Sequence, residues 1–310
     1  MSNRTDPYLI SIIGPTAVGK TDLAVEIAEL LSTEIVSSDS RQFYREMNIG
    51  TAKPTVSEQE RIPHHFVDSH GIEEDYNVGE FERDMIELLT ELFNSYQHVV
   101  MVGGSGLYCK AVWEGLDHFP GIDPYIRKQL QEEVLEHGLS KLRLELAQTD
   151  PDYFEEVDVH NPQRILRALE VIRSTGEPFS SFRNREEEKK PVREFRSIKI
   201  GLEMDREELY DRIDRRMDQM ILDGLFEEAR ELYPYRNLNA LRTVGYSEIF
   251  KYLDGEYDYQ EAVRLLKRNS RRYAKRQFTW FKRDPDIQWF LPTQREEIMR
   301  HLHGRLGLNA

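Results

Sequence analysis

The chain holds one cysteine, Cys109, among 310 residues. That excludes a disulfide-stapled fold, and no Cys/His group has the spacing of a zinc site. Long apolar runs are also missing. Nothing approaches the roughly 20 residues needed to cross a bilayer, and the polar N-terminus lacks the pattern of a secretory leader. A soluble, cytosolic protein with no membrane partner is therefore expected. Nor is there an excess of positive charge: the formal net charge is −14, which by itself argues against a nucleic-acid partner. At this length the chain can bury a substantial core and form one large domain or two.

What is present is a phosphate-binding loop. An apolar run, residues 8–13, leads into Gly14, Pro15, Thr16, Ala17, Val18, Gly19, Lys20 and Thr21, a full match to G-x-x-x-x-G-K-[ST]. Glycines let backbone N–H groups turn inward around a phosphate, Lys20 supplies a point charge, and the Thr21 hydroxyl suits Mg²⁺. Leu23, Ile27, Leu30 and Leu31 then recur at helical spacing, so a helix N-terminus adds its dipole to the anion site. By motif the loop is nucleotide- or ATP-binding. Yet the second signature of many nucleotide hydrolases, an apolar strand ending in Asp, is absent. The best candidate strand, residues 99–102, runs into Gly103-Gly104-Ser105-Gly106 with no acid. This counts against a motor ATPase or a switch GTPase. It leaves enzymes that hold a leaving or transferring phosphate while chemistry occurs elsewhere.

Strand and helix alternate over the first 115 residues: strand 8–13, helix 20–31, strand 34–37, helix 79–95, strand 98–102. That pattern is a parallel sheet with helices on its faces. Strand signals then stop. Helical patterns at 124–137, 138–147 and 162–174 precede a charged, loop-like stretch at 184–191. Strand 197–202 rejoins the sheet, followed by helices at 205–222, 223–232, 245–253 and 258–281. The fold class is α/β: a P-loop NTPase-like parallel sheet flanked by helices, with an inserted all-helical domain. The expected boundaries are 1–119 with 192–310 for the core and 120–191 for the insertion.

Several residues can carry chemistry. Asp39 lies just past the second strand, at the end where ligands bind in open α/β sheets, and can take a proton from a nucleophile; a helix N-cap or Mg²⁺ contact is the alternative. Lys53, in a loop that could close over a substrate, reads as a surface charge. His64 and His65 lack a third metal ligand at usable spacing and read as core or loop histidines. Asn161 caps a helix whose first turn begins with Pro162 and whose end precedes Gly176. Gln163, Arg164 and Arg167 cluster on its first turns and suit a base edge or a phosphate. Arg212 and Arg216 share a helix face and can reach a pyrophosphate; pairing with Asp211 or Asp218 is the alternative. From Arg264 to Arg283 there are nine Lys or Arg and no acid. Seven of them recur at three- and four-residue steps along one side of a helix, with Tyr273, Phe278, Trp280 and Phe281 interleaved. Such a stripe neutralises backbone phosphates locally, or else is a solvated face beside an aromatic core edge.

Taken together, the motifs at 14–21, 39–42, 48–54, 64–68, 103–108, 161–170 and 271–281 resemble, in order and over nearly the whole chain, the bacterial tRNA dimethylallyltransferase (tRNA isopentenyltransferase) family. The chain ends without the zinc finger of eukaryotic relatives. The resemblance implies transfer of a dimethylallyl group from dimethylallyl diphosphate to the N6 amine of the adenine immediately 3′ of the anticodon, position 37. It also implies a requirement for Mg²⁺ and a monomer. Residues 14–21 would cradle the diphosphate, with Thr21 and Mg²⁺ assisting its departure and Arg216 and Arg212 neutralising developing charge. Asp39 would hold the amine and take its proton. Ser40, Arg41, Gln42, Ser105, Arg127, Gln163, Arg164, Ile165, Leu166, Arg167, Arg271, Arg272, Lys275, Arg276, Lys282 and Arg283 would grip the anticodon stem-loop, with the target base extruded. A small-molecule kinase using the same loop and Asp, an adenylate isopentenyltransferase acting on free nucleotide, and a noncatalytic RNA-binding protein are the competing readings.

Overall fold

The computed structural model describes residues 6–117, 119, 121, 123–183 and 191–308. Most of the charged stretch expected as a loop, residues 184–190, lies outside the described residues. The chain divides into two compact units, one formed by residues 1–113 and 193–310 and the other by residues 114–192.

The first unit opens with β1 (Tyr8–Ile13), α1 (Lys20–Leu30), β2 (Ile35–Ser37), α2 (Val56–Arg61), β3 (His64–His65), α3 (Val78–Ser95), β4 (His98–Gly103) and α4 (Gly106–Glu114). The second unit holds α5 (Pro124–His137), α6 (Leu139–Thr149), α7 (Pro151–Glu156), α8 (Pro162–Thr175) and α9 (Phe179–Arg183). The chain returns as β5 (Arg196–Leu202), α10 (Arg206–Leu222), α11 (Leu225–Leu232), α12 (Ser247–Leu253), α13 (Tyr259–Phe281), β6 (Gln288–Phe290) and α14 (Arg295–Leu306).

All pairings in the six-stranded sheet are parallel, in the order β3-β2-β4-β1-β5-β6. Successive strand residues face opposite sides, and both sides are covered. Leu9, Ile13, Val36, Val99 and Met101 join one apolar cluster, while Ile10, Ile12, Ile35, Val100 and Val102 join the other. That explains the nearly continuous apolar runs of β1, interrupted by the buried Ser11, and of β4. β2, β4 and β1 are neighbours, so the loops leaving their carboxyl ends lie side by side. This brings residues 14–19, 38–42 and 104–105 together.

Local rules account for the helices. Asn77 and Glu80 form a reciprocal capping box at the start of α3, and Asp258 accepts from the Glu261 N–H to start α13. At α8 the expected cap holds: the Asn161 side chain accepts from the Gln163 N–H, Pro162 takes the first turn, and Gly176 closes the helix at φ 77°. The core of the helical unit is its own cluster of Leu130, Leu142, Leu146, Ile165, Leu169 and neighbouring side chains. No helix among the described residues is long and apolar enough to cross a membrane.

Candidate active site

The phosphate loop is held from three sides. Gly14 has φ 145°, and a Cβ there would lie 2.6 Å from the Leu202 carbonyl oxygen, so only glycine lets the loop press against β5. Gly19, at φ 103°, turns the chain into α1. Lys20 Nζ donates to the Pro15 carbonyl at 2.8 Å, spanning the loop. The Thr16 N–H donates to Gln277 Oε1 at 2.9 Å, and Gln277 Nε2 donates to the Gly104 carbonyl at 3.0 Å. Arg216 Nη1 donates to Thr16 Oγ1 at 3.3 Å. Of the two readings of Arg216, the geometry therefore favours the phosphate loop over an intrahelical ion pair. Arg212 shares an open, basic cleft with Gly19, Lys20, Thr21, Arg215 and Arg216.

This cleft adjoins a smaller cavity of about 140 Å³. One end of the cavity is polar, lined by Thr16, Lys20, Thr21, Asp39 and Arg216; its other walls include Ile213, Met217, Met220, Leu225 and Val244. Burial pushes the Lys20 ammonium down to about 8, with Asp39 opposing that shift and Arg216 reinforcing it. Burial likewise lowers the Arg216 guanidinium, again opposed by Asp39. Two crowded cations against one carboxylate form a site whose charge balance improves when an anion enters.

Asp39 is set by its turn. Its Oδ1 accepts from the Arg41 N–H at 3.1 Å, and its own N–H donates to Ser37 Oγ at 3.2 Å. Ser105 Oγ accepts from the Ser40 N–H at 3.0 Å, tying this turn to the end of β4. Among the described residues no group of three or more His, Cys, Asp and Glu could hold a metal by itself. The Thr21 hydroxyl is an oxygen donor of the kind that suits Mg²⁺, which commonly takes one or two protein ligands and completes its shell with phosphate oxygens and water.

A family model described as IPP transferase matches residues 42–284. A protein of Christiangramia forsetii described as tRNA dimethylallyltransferase is 54% identical over 283 residues, covering 91% of this chain and 93% of that one. One of Cytophaga hutchinsonii with the same description is 51% identical over 299 residues, covering 96% and 97%. The chain belongs to the IPP transferase family. Among solved structures, a full-length tRNA isopentenylpyrophosphate transferase from Bacillus halodurans superimposes with a TM-score of 0.72 at 38% identity, covering 98% of this chain and 97% of that one.

Within this chain, the residues singled out for RNA fall into distinct groups. Arg272, Lys275, Arg276, Lys282 and Arg283 are exposed, and Trp280 lies against Gly106, where a Cβ would come within 2.1 Å of the indole. Arg271 and Lys267 do not belong to an open stripe. Arg271 binds Asp214 at 2.6 Å and Lys267 binds Asp218 at 2.5 Å, pinning α13 to α10. Lys282 reaches Glu203 at 2.8 Å and sits over the Trp289 ring. Arg41 donates to the Asn239 and Ala240 carbonyls, and Gln42 Nε2 to the Thr51 and Ala52 carbonyls. Gln42 thus braces a wall of the cavity both side chains line, while Arg41 ties that cavity to the 239–240 segment.

In the helical unit, Gln163 and Arg164 are exposed. Ile165 and Leu166 are buried in its core, which corrects their expected place at an RNA surface: the apolar face of α8 turns inward. Arg127 and Arg167 both pair with the buried Glu170, at 2.7 and 3.5 Å.

Lys53 is not the surface charge its loop suggested. Its side chain is 7% exposed and bonds the Tyr44 carbonyl, Asn48 Oδ1 and Asp68. His64 lines the cavity, and His65 pairs with Glu34. Sequence reasoning also missed Gln277 and Glu228. The Glu228 carboxylate accepts the N–H groups of Asn48, Ile49 and Gly50 at 2.8–3.0 Å and the Tyr246 hydroxyl at 2.6 Å. Tyr273, noted only as an interleaved aromatic, lines the cavity, and burial raises its phenol pKa.

Proposed function

We propose that the protein transfers a dimethylallyl group from dimethylallyl diphosphate to the N6 amine of adenine 37, next to the anticodon, in tRNA. The observation that carries this reading is the single cavity in which Lys20, Thr21, Arg216 and Asp39 meet an apolar wall. A diphosphate, a short hydrocarbon and an amine bearing a proton to be removed all find their chemistry there. The names of the close relatives point the same way.

In this reading the diphosphate sits on the phosphate loop, with Lys20 and Arg216 on its oxygens. The adenine N6 lone pair attacks C1 of the allyl group, and the C1–O bond breaks. Its electron pair leaves on the diphosphate, where the two cations offset the growing charge. Asp39, held by the Arg41 N–H, accepts the proton released from N6. Thr21 is the residue that would hold Mg²⁺, which when bound would supply further positive charge to the departing oxygens. The exposed Arg272, Lys275, Arg276 and Arg283, and Gln163 and Arg164 on the helical unit, would engage the anticodon stem-loop. Loop recognition of this kind needs the target base splayed from its stack.

A kinase reading leaves the apolar wall and the basic face of α13 without a role. The deciding experiment supplies Mg²⁺ and labelled dimethylallyl diphosphate with either an anticodon stem-loop or AMP, and separately tests γ-labelled ATP. Label on the stem-loop alone supports the reading; label on AMP, or phosphoryl transfer from ATP, overturns it.

A further inference from the structure

The wall facing the phosphate end has a shape that bears on the donor. Arg216 and Met220 are four residues apart on α10, so they share a helix face with about 6 Å of rise between them. Met217 stands beside them. Gly224, at φ 105°, turns the chain into α11 and brings Leu225 to the same cavity. Met217 and Leu225 are buried, whereas Met220 is half-buried. A hydrocarbon whose diphosphate lies beside Arg216 thus has Met220 about one helical turn away along the same wall, next to the α10–α11 turn. The cavity is partly open and measures about 140 Å³ in all, its polar part included; an apolar cavity of about 150 Å³ is filled by a single benzene ring, so the space left for a hydrocarbon is small.

Resting on the dimethylallyl-transfer reading, we infer that Met220, backed by Met217 and Leu225, sets the length of the prenyl group: five carbons fit and a second isoprene unit does not. Methionine fills irregular gaps well but is unbranched and mobile. Removing its thioether opens the far end of the cavity while leaving the phosphate loop and Asp39 untouched.

The test compares dimethylallyl diphosphate with geranyl diphosphate as donors to the same anticodon stem-loop, for the full chain and for Met220→Ala. The unaltered protein should favour the five-carbon donor by about 100-fold or more in kcat/KM, and Met220→Ala should narrow that ratio at least about tenfold. Met220→Phe, which fills the same space, should raise the KM for dimethylallyl diphosphate. Calorimetric binding of geranyl diphosphate gives a readout independent of turnover, and Met220→Ala should bind it more tightly than the unaltered protein does. An unchanged donor ratio with unchanged geranyl diphosphate affinity overturns the inference, as does ready geranyl transfer by the unaltered protein. Failure of the unaltered protein to transfer either group would instead sink the proposed function, so the two failures are distinguishable.

Discussion

Gln277 accepts a hydrogen bond from the Thr16 N–H at 2.9 Å across 261 positions of sequence. One amide side chain on α13 thereby completes the phosphate loop while holding the Gly104 carbonyl with its other end. Gly104 has no room for a Cβ, which would fall 2.2 Å from Gln277 Nε2. The helix that exposes the basic face is thus hydrogen-bonded directly to the loop that would hold the diphosphate.

Gln277→Leu should leave the buried Gly104 carbonyl unsatisfied, at about 1–3 kcal/mol, and deprive the part-buried Thr16 N–H of its acceptor. The expected kinetic result is a KM for the prenyl diphosphate raised about tenfold or more, with stem-loop affinity little changed. Steady-state kinetics with each substrate varied in turn checks the split.

Asp39→Ala should lower kcat by about 10²–10⁴, the usual span for loss of a positioned proton acceptor. RNA binding, measured by filter retention or fluorescence anisotropy, should persist. Near-normal turnover would remove Asp39 from its proposed role.

The pKa of Lys20, brought down to about 8 by burial, gives a pH dependence with a definite sign. Below pH 8 the ammonium is in place and affinity for the prenyl diphosphate should be flat with respect to this group. Above pH 8 the empty site loses its proton, so affinity should fall toward tenfold per unit, with uptake of a proton on binding. Calorimetry in buffers of different ionisation enthalpy reads that proton, and Lys20→Arg should abolish the inflection.

Replacing Arg272, Lys275 and Arg276 together by alanine should weaken RNA binding and reduce the slope of log K against log salt by about 2. Arg271→Ala should act differently. It breaks a half-buried pair with Asp214, so it should shift the melting temperature modestly and move the salt slope less than the triple change does.

Glu228→Ala should destabilise the protein by about 1–3 kcal/mol, because three amides of the 48–50 turn and the Tyr246 hydroxyl lose one shared acceptor. Thermal denaturation measures it. Tyr246→Phe, which removes only one of the four bonds, should cost less.

The parallel sheet and most helices were legible because their signals are local: the apolar runs of β1 and β4, the 3.6-residue spacing in α3, the Asn161–Pro162–Gly176 punctuation of α8. β3 and β6 escaped, being two and three residues long and drawing their pairing from neighbours rather than from their own pattern. The phosphate loop was readable because its chemistry requires fixed residues at fixed spacing. Gln277 was not singled out, although a trace of it was there. It stands at 5% exposure in a buried stripe with Ala262, Leu266, Ala274 and Phe281, and a polar residue on such a stripe needs a partner. The pairing of Lys267 and Arg271 with Asp218 and Asp214 depends on which helix packs against α13. Matching four-residue spacings on both helices hint at it without fixing it.

The bond from Gln277 to Thr16 also bears on biosynthesis. During translation the nascent chain displays the phosphate-loop segment long before α13 has left the ribosome, and at about 5–20 residues per second the interval lasts many seconds. Through that interval the Thr16 amide lacks its Gln277 acceptor and β1 lacks its β5 neighbour. Maturation of the anion site therefore waits until residue 277 has emerged, and a ribosome stalled before codon 277 carries a chain whose loop is still unbraced.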